Sequence, residues 1–148
     1  MIFQCVDASV SVKWAVEDAP FRMKAHDFLK DAGIYGIKFI APPNFLSETD
    51  SAINKRIFDG RISVIEARKA YRILDTIPVE IINSFDARQR AREIAKQFNQ
   101  RFVYDANYAG LAELYNCEFW TAGKAFYNAV KTELKYVRYL PDYSKAKY

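Results

Sequence analysis

The chain opens with a short apolar run that ends in an acid, and this feature constrains the fold more than any other. Residues 2–6 are mostly apolar, and Asp7 follows them directly. A short apolar run of this kind is typical of a strand buried on both faces, as at the centre of a parallel sheet. Because ligands of open α/β sheets bind outside the carboxyl ends of the strands, Asp7 is a candidate functional group.

The rest of the chain alternates between strand and helix patterns. Further strands are predicted at residues 37–41, 79–82, 117–120 and 136–140, and helices at 10–16, 21–32, 44–58, 63–74, 85–98, 104–115 and 124–132. Gly33 is expected to stop the second helix, while Ser63 with Glu66, and later Ser84, have the form of helix caps. Without a long polar linker or a repeat, residues 1–148 are predicted to form one three-layer α/β domain with about five parallel strands.

Composition narrows the class of protein further. With 51% hydrophobic and 27% charged residues, 5 Gly and 5 Pro, the chain fits neither a disordered nor a fibrous protein. The net charge of +4 gives a mild attraction for polyanions, and the 16% aromatic residues favour an interface with another subunit or with stacked bases. Cys5 and Cys117 are expected to be buried thiols in a reducing compartment. With no signal-peptide pattern and no apolar stretch of membrane-spanning length, a soluble cytoplasmic protein is expected.

Three acids stand at special places in this pattern. Asp7 ends the first strand, Glu48 lies early in the helix after the second, and Asp105 begins a later helix. On a helical wheel Glu48 falls at the margin of an apolar stripe formed by Phe45, Leu46, Ala52, Ile53 and Ile57. Three converging carboxylates repel one another unless a hard cation such as Mg²⁺ or Mn²⁺ lies between them. Taken singly, each acid also fits a purely structural role, either as a helix cap or at the edge of an apolar helix face.

Four segments of the chain carry a resemblance to a known family. In order and separation they resemble the signatures of the PIN domain, and the closest likeness is to VapC-type toxins of prokaryotic toxin–antitoxin pairs. The resemblance spans essentially the whole chain and implies a parallel sheet of order 3-2-1-4-5 in a metal-dependent endoribonuclease. The segments are residues 6–10 (Val-Asp-Ala-Ser-Val), 42–48 (Pro-Pro-Asn-Phe-Leu-Ser-Glu), 104–112 (Tyr-Asp-Ala-Asn-Tyr-Ala-Gly-Leu-Ala) and 119–129 (Phe-Trp-Thr-Ala-Gly-Lys-Ala-Phe-Tyr-Asn-Ala).

The resemblance also assigns roles to single residues. It implies that three acids are catalytic and bind Mg²⁺ or Mn²⁺, namely Asp7, Glu48 and Asp105. Three neutral polar residues are candidates to support them, namely Thr121, Ser9 and Asn107. The family's ending normally supplies a fourth acid, and this chain has Gly123 at that position. Related proteins are typically homodimers held inactive by a small antitoxin protein, so the same partners are implied here.

The substrate would be single-stranded or loop RNA held by positive charge outside the acidic pocket. A basic stripe on the predicted fifth helix is one candidate surface, formed by Arg88, Arg92 and Lys96, although such stripes are commonly just solvated faces. Two other readings stay open. Gly123 favours a PIN-like binding module that has lost catalysis and grips RNA or a protein. Alternatively, the acids are all helix caps in an unrelated α/β fold.

Overall fold

The computed structural model of the protein describes residues 1–17 and 19–144. Within that range strands and helices alternate along the chain, and a short 3₁₀ helix (Leu140–Asp142) follows the last strand. The strands are β1 (Phe3–Val6), β2 (Lys38–Ala41), β3 (Val79–Ile81), β4 (Glu118–Thr121) and β5 (Val137–Tyr139). The α-helices are α1 (Ala8–Ala15), α2 (Arg22–Tyr35), α3 (Asn44–Phe58), α4 (Val64–Thr76), α5 (Phe85–Gln97), α6 (Tyr104–Leu114) and α7 (Lys124–Val130).

The five strands form one parallel sheet of order β3-β2-β1-β4-β5, which confirms the predicted α/β/α topology. The central strand is β1, where Cys5 and Val6 are fully buried. After β1 the chain builds β2 and β3 on one side and then crosses to β4 on the other. Val6 pairs with Trp120, so the residues that follow β1 and end β4 meet at the same sheet edge. This is where the strand order reverses.

Helix boundaries follow the predicted caps with one correction. Ser63 and Glu66 form the predicted capping box, and Ser84 caps α5 by accepting a hydrogen bond from the Ala87 amide. The prediction that Gly33 stops the second helix was wrong, because α2 continues to Tyr35. Gly36 ends it instead, in the left-handed conformation (φ 66°), and its amide donates to the Ala32 carbonyl. Left-handed backbone favours glycine, which accounts for the later stop.

Apolar side chains form two clusters. The larger one packs around the sheet, and a smaller one joins α1, α3 and α4 through Val12, Val16, Ala19, Ile53, Ala67 and Ala70. On α3, Phe45 and Ile53 are buried as predicted, whereas Leu46 is 56% exposed and does not belong to the buried stripe. Cys5 is a buried free thiol as predicted, whereas Cys117 is a free thiol that is only half-buried. No helix among residues 1–17 and 19–144 is both long enough and apolar enough to cross a membrane.

Helices α5 and α6 approach each other very closely at Gly110. A Cβ atom added there would lie 2.4 Å from the carbonyl oxygen of Ala87, a distance that backbone atoms cannot accept. The absence of a side chain at Gly110 therefore sets the distance between the two helices. Both helices begin near the carboxyl edge of the sheet, so this contact also positions what they carry there.

Candidate active site

Asp7 occupies the centre of the acidic edge and is almost completely buried, with 4% of its surface exposed. One carboxylate oxygen accepts a hydrogen bond from Ser9 Oγ and the other from Thr121 Oγ1, both at 2.5 Å. The Val10 amide donates to the same carboxylate at 3.3 Å, so Asp7 is also the N-cap of α1. Its position as a helix cap therefore leaves the second carboxylate oxygen in contact with Thr121, a residue outside α1.

The two hydroxyl groups connect Asp7 to the backbone after β4. Ser9 Oγ accepts a hydrogen bond from the Ala122 amide at 2.8 Å, and Thr121 Oγ1 accepts one from the Gly123 amide at 3.0 Å. Each hydroxyl thus donates its proton to the carboxylate and uses a lone pair for a backbone N–H. Ser9 and Thr121 therefore hold the orientation of Asp7, and their role in supporting a functional site stays a prediction.

Burial raises the pKa of Asp7 from its usual 3.8 to about 6, and the carboxylate of Asp105 adds to this effect. The hydrogen bonds from Ser9, Thr121 and the Val10 amide act in the opposite direction, because they stabilise the ionised form. Desolvation is the largest cause of the raised pKa, so the ionised form of Asp7 is destabilised by its burial. Structural carboxylates rarely need such an arrangement, whereas functional sites often show one.

Glu48 lies half-buried on α3 with both carboxylate oxygens held by neighbours. Asn44 Nδ2, one helical turn earlier, donates to Oε1 at 2.6 Å, and the Tyr108 hydroxyl donates to Oε2 at 2.9 Å. Asn107 Nδ2 in turn donates to Asn44 Oδ1 at 3.4 Å. Asn107 therefore supports Glu48 through Asn44, and it is the third of the predicted supporting residues to touch this network.

Sequence analysis missed Asn44 and Tyr108. Asn44 lies four residues before Glu48 on the same helix, a spacing that brings two side chains together and was available as a signal. Tyr108 is fully buried and stacks on Phe119, with ring centroids 5.3 Å apart. Burial raises the pKa of the Tyr108 hydroxyl far above its ordinary value, and the charges of Glu48 and Asp7 contribute. It remains a proton donor to Glu48.

Asp105 lies in the first turn of α6 but is not the cap of that helix. The N-cap position belongs to Val103, and no side chain caps this end. Asp105 as a whole residue is exposed, but the surrounding protein desolvates its carboxyl enough to raise its pKa, and the nearby charge of Glu48 raises it further. Because Asp105 in turn raises the pKa of Asp7, the three acids share one electrostatic neighbourhood. Helix capping explains only one of them.

The donor chemistry at this edge fits a hard divalent cation. Carboxylate oxygens are the ligands that Mg²⁺ prefers, and carboxylates that raise one another's pKa gain from a cation between them. In the described part of the chain, however, no three His, Cys, Asp or Glu side chains lie close enough to form a ready-made metal cage. Mg²⁺ usually keeps several waters and binds through only one or two protein carboxylates. The carboxylates of Asp7, Glu48 and Asp105 are therefore the right type of ligand for it.

Gly123 stands where the fourth acid was expected, directly beside this network. Its φ of −78° is open to any residue. A Cβ atom there would lie 3.2 Å from Thr121 Oγ1, which is tight but requires a shift of only a few tenths of an ångström. A side chain at this position would therefore enter the site next to Asp7 with little backbone strain.

The three basic residues predicted to bind RNA differ in their distance from the acids. All are exposed on α5, but only Arg88 lies in the first turns, where it lines a cavity together with Asn44 and Asn107. Arg92 and Lys96 follow one and two turns further along the helix, away from the sheet edge. The structure therefore brings Arg88, and not the whole stripe, to the site.

An exposed aromatic group next to Asp105 was not anticipated. Phe102 and Tyr104 stack with ring centroids 5.8 Å apart, and the Arg101 guanidinium lies 5.6 Å from the centre of the Phe102 ring. Phe102 is 61% and Tyr104 55% exposed. Stacked aromatic rings with an arginine are the typical means of holding unpaired bases. This group, Arg101 with Phe102 and Tyr104, is called the aromatic platform below.

Comparison with protein families agrees with this fold. The family model described as the PIN domain matches residues 5–131, a range that includes all three acids as well as Thr121 and Gly123. The chain therefore belongs to the PIN domain family, whose members are generally metal-dependent nucleases. Membership confirms the resemblance to the PIN domain and overturns the reading of an unrelated α/β fold. No curated protein sequence gives a significant match.

Among solved structures, the chain is similar to the crystal structure of PAE2754 from Pyrobaculum aerophilum. The two share 18% sequence identity with a TM-score of 0.61, over 90% of this chain and 95% of that one. At this identity the similarity concerns the fold alone. It shows that the arrangement of strands and helices described above occurs in an experimental structure.

Proposed function

We propose that the protein is a metal-dependent endoribonuclease of the kind found in VapC-type toxins. The observation that carries the proposal is the buried carboxylate of Asp7. Its charge is kept in place by two hydroxyl groups and is coupled to a second acid at the edge where the strand order reverses. A desolvated acid at a ligand-binding edge is costly without a function, and a cation would offset that cost.

The residues of the site divide the work. A bound Mg²⁺ or Mn²⁺ would lower the pKa of an attacking water and offset negative charge on the phosphate. Asp7 and Asp105 would hold the cation. Asn44 and Tyr108 hold Glu48 in one orientation, so its carboxylate can orient a water and accept its proton. Attack by water on phosphorus would leave a 5′-phosphate and a 3′-hydroxyl.

The aromatic platform supports RNA with unpaired bases as the substrate. Base stacking on an aromatic side chain contributes about 1–3 kcal/mol, so Phe102→Ala is expected to weaken binding about 5- to 150-fold. Fluorescence anisotropy with a short single-stranded RNA measures this in an Asp7→Asn background, which prevents cutting. Phe58→Ala is the matched control, because Phe58 is 88% exposed at the far end of α3. Equal affinity in the two variants would exclude the aromatic platform from RNA binding.

The same family likeness supports two protein partners. We propose that the protein forms a homodimer and that a small antitoxin protein blocks the site. The high aromatic content, with 10 Tyr and 11 Phe, is consistent with such interfaces.

A second candidate function is favoured by Gly123. Without the fourth acid the site loses one ligand and one negative charge, so a PIN-like module that binds RNA or protein without cutting is the alternative. Tight metal binding would suffer most from this loss.

RNA cleavage decides between these functions. A mixed single-stranded RNA pool is incubated with purified protein and Mn²⁺, Mg²⁺ or EDTA, and Asp7→Asn is run in parallel to exclude a contaminating nuclease. Cutting that requires metal and disappears in Asp7→Asn supports the enzyme. No cutting with any metal, by protein shown to be folded and free of antitoxin, would support the binding module.

The variant Gly123→Asp provides the complementary test. Its backbone conformation accepts aspartate, and the new side chain would start 3.2 Å from Thr121 Oγ1, so the fold should be retained. We expect tighter Mn²⁺ binding, measured by calorimetry, with a modest gain in cleavage if the parent is already active. A large gain from an inactive parent would favour the binding module instead. Gly123→Asn controls for the added volume without the charge.

A further inference from the structure

A cavity of about 280 Å³ opens at the carboxyl edge of the sheet, and one of its lining residues, Asn44, contacts Glu48. It lies between the start of α3, the end of β3 and the first turns of α5, with α6 as its fourth wall. We call it the amide pocket; its walls include Pro42, Ile82, Asn83, Arg88, Asn107 and Leu111. Its volume is large enough for one flat aromatic ring system.

The amide pocket is directly connected to the acidic site through Asn44. This residue also lines the pocket, and its amide nitrogen donates to Glu48 Oε1 at 2.6 Å. The same nitrogen lies 3.4 Å from the Tyr104 carbonyl oxygen, and its amide oxygen accepts a hydrogen bond from Asn107. The Asn44 side chain is therefore held by these protein contacts. It lies between the amide pocket and the carboxylate of Glu48. A nucleotide in the pocket would lie next to one at the acids.

Two amides of the pocket still have hydrogen-bonding capacity. Within residues 1–17 and 19–144, the Asn83 side chain makes no hydrogen bond and the Asn107 amide oxygen accepts none. A carboxamide presents a donor beside an acceptor, which matches the same pair on the edge of an unpaired base. Adenine carries this pair on both its Watson–Crick edge (N6 with N1) and its Hoogsteen edge (N6 with N7), so two carboxamides can bind it at once. Apolar walls from Pro42, Ile82 and Leu111 suit the faces of such a ring.

We propose that the amide pocket binds one unpaired adenine of the substrate strand, next to the nucleotide that is cut, and that Asn83 and Asn107 select it. Arg88 at the rim would contact the adjoining phosphate, which adds affinity without base selectivity. The proposal rests on the ribonuclease function proposed above. According to this proposal, the protein is a nuclease that selects a base. The residues that select the base are then different from the acids that take part in cleavage.

The first test measures base preference at the cut. A random single-stranded RNA pool is cleaved with Mn²⁺, and the new ends are sequenced. We expect adenine to be enriched at one fixed position beside the cut, and Asn83→Ala to reduce that preference about 5- to 150-fold. Asn83 is exposed, so the variant should fold; Asn54→Ala, an exposed asparagine on α3, is the matched control.

The second test does not depend on cutting. In an Asp7→Asn background, anisotropy compares short oligomers of adenine, cytosine and uracil nucleotides, with and without Asn83→Ala. Tighter binding of the adenine oligomer that Asn83→Ala abolishes supports the pocket even if the parent protein never cleaves RNA. Metal-dependent cleavage with a base preference that Asn83→Ala leaves unchanged would overturn the pocket while the ribonuclease function stands. Cleavage and binding without any adenine preference would overturn it as well.

Discussion

Replacing Asp7 by asparagine should make the protein more stable at neutral pH when metal is absent. Burial raises the pKa of Asp7 from 3.8 to about 6, so the ionised side chain costs about 3 kcal/mol of unfolding free energy at pH 7. Asparagine has the shape of a protonated aspartate and, like it, offers one acceptor and one donor to Ser9 and Thr121. It therefore removes the cost of the charge and keeps the packing.

The pH dependence of this effect has a definite sign. Between about pH 4 and pH 6 the folded protein holds a proton on Asp7 that the unfolded chain has released, so stability of the wild type falls as pH rises through this window. The two proteins should be equally stable near pH 4. At pH 7 in EDTA the free energy of unfolding of Asp7→Asn should exceed that of the wild type by about 3 kcal/mol. This corresponds to a Tm that is higher by about 6–12 °C.

Thermal melts at several pH values measure this difference, with Asp27→Asn, an exposed aspartate on α2, as the control. Adding Mn²⁺ should raise the Tm of the wild type, because a cation that binds only the native state stabilises it, and should have little effect on Asp7→Asn. A variant that is no more stable than the wild type at pH 7, or equally stabilised by Mn²⁺, would refute the reasoning about a desolvated metal ligand.

Two further predictions concern packing and the second acid. Gly110→Ala should lower the unfolding free energy in urea by about 1–3 kcal/mol, because the new methyl group meets the Ala87 carbonyl oxygen. Gly33→Ala should instead raise it by about 0.5–1 kcal/mol, since Gly33 has open space in a helix; equal effects would contradict the helix contact. Tyr108→Phe removes a hydrogen bond to Glu48 and should reduce kcat more than RNA affinity, and an unchanged kcat would argue against Glu48 as the base.

The sequence allowed the sheet and the position of the acids to be predicted, because both depend on local pattern. An apolar run that ends in Asp7 indicates a buried strand and its carboxyl end, whatever the rest of the chain does. Helix α3 begins at Asn44 and ends at Phe58 as predicted, since prolines precede it and a glycine follows. The stop at Gly33 failed because an exposed helical glycine costs only about 1 kcal/mol, which the helix tolerates.

The contacts that orient the acids depend on pairing distant segments and could not be predicted. Ser9 reaches the Ala122 amide only because β1 and β4 are neighbours in register. Tyr108 was hidden among apolar residues of its helix, and nothing local marks its hydroxyl as a partner of Glu48. The exposure of Leu46 could not be predicted for the same reason. A helical wheel shows which side chains share a face, but not which part of that face is covered by the rest of the protein.

The missing side chain at Gly110 has a consequence beyond stability. Gly110 lies on the same helix as Asn107, and the carbonyl group it approaches belongs to Ala87, next to Arg88. One helix crossing therefore sets the spacing between two walls of the amide pocket. A single methyl group added at Gly110 would push α5 and α6 apart. The width of the amide pocket would then change while every residue that lines it stays the same. Base selection in this protein would then be adjustable from a position that never touches RNA.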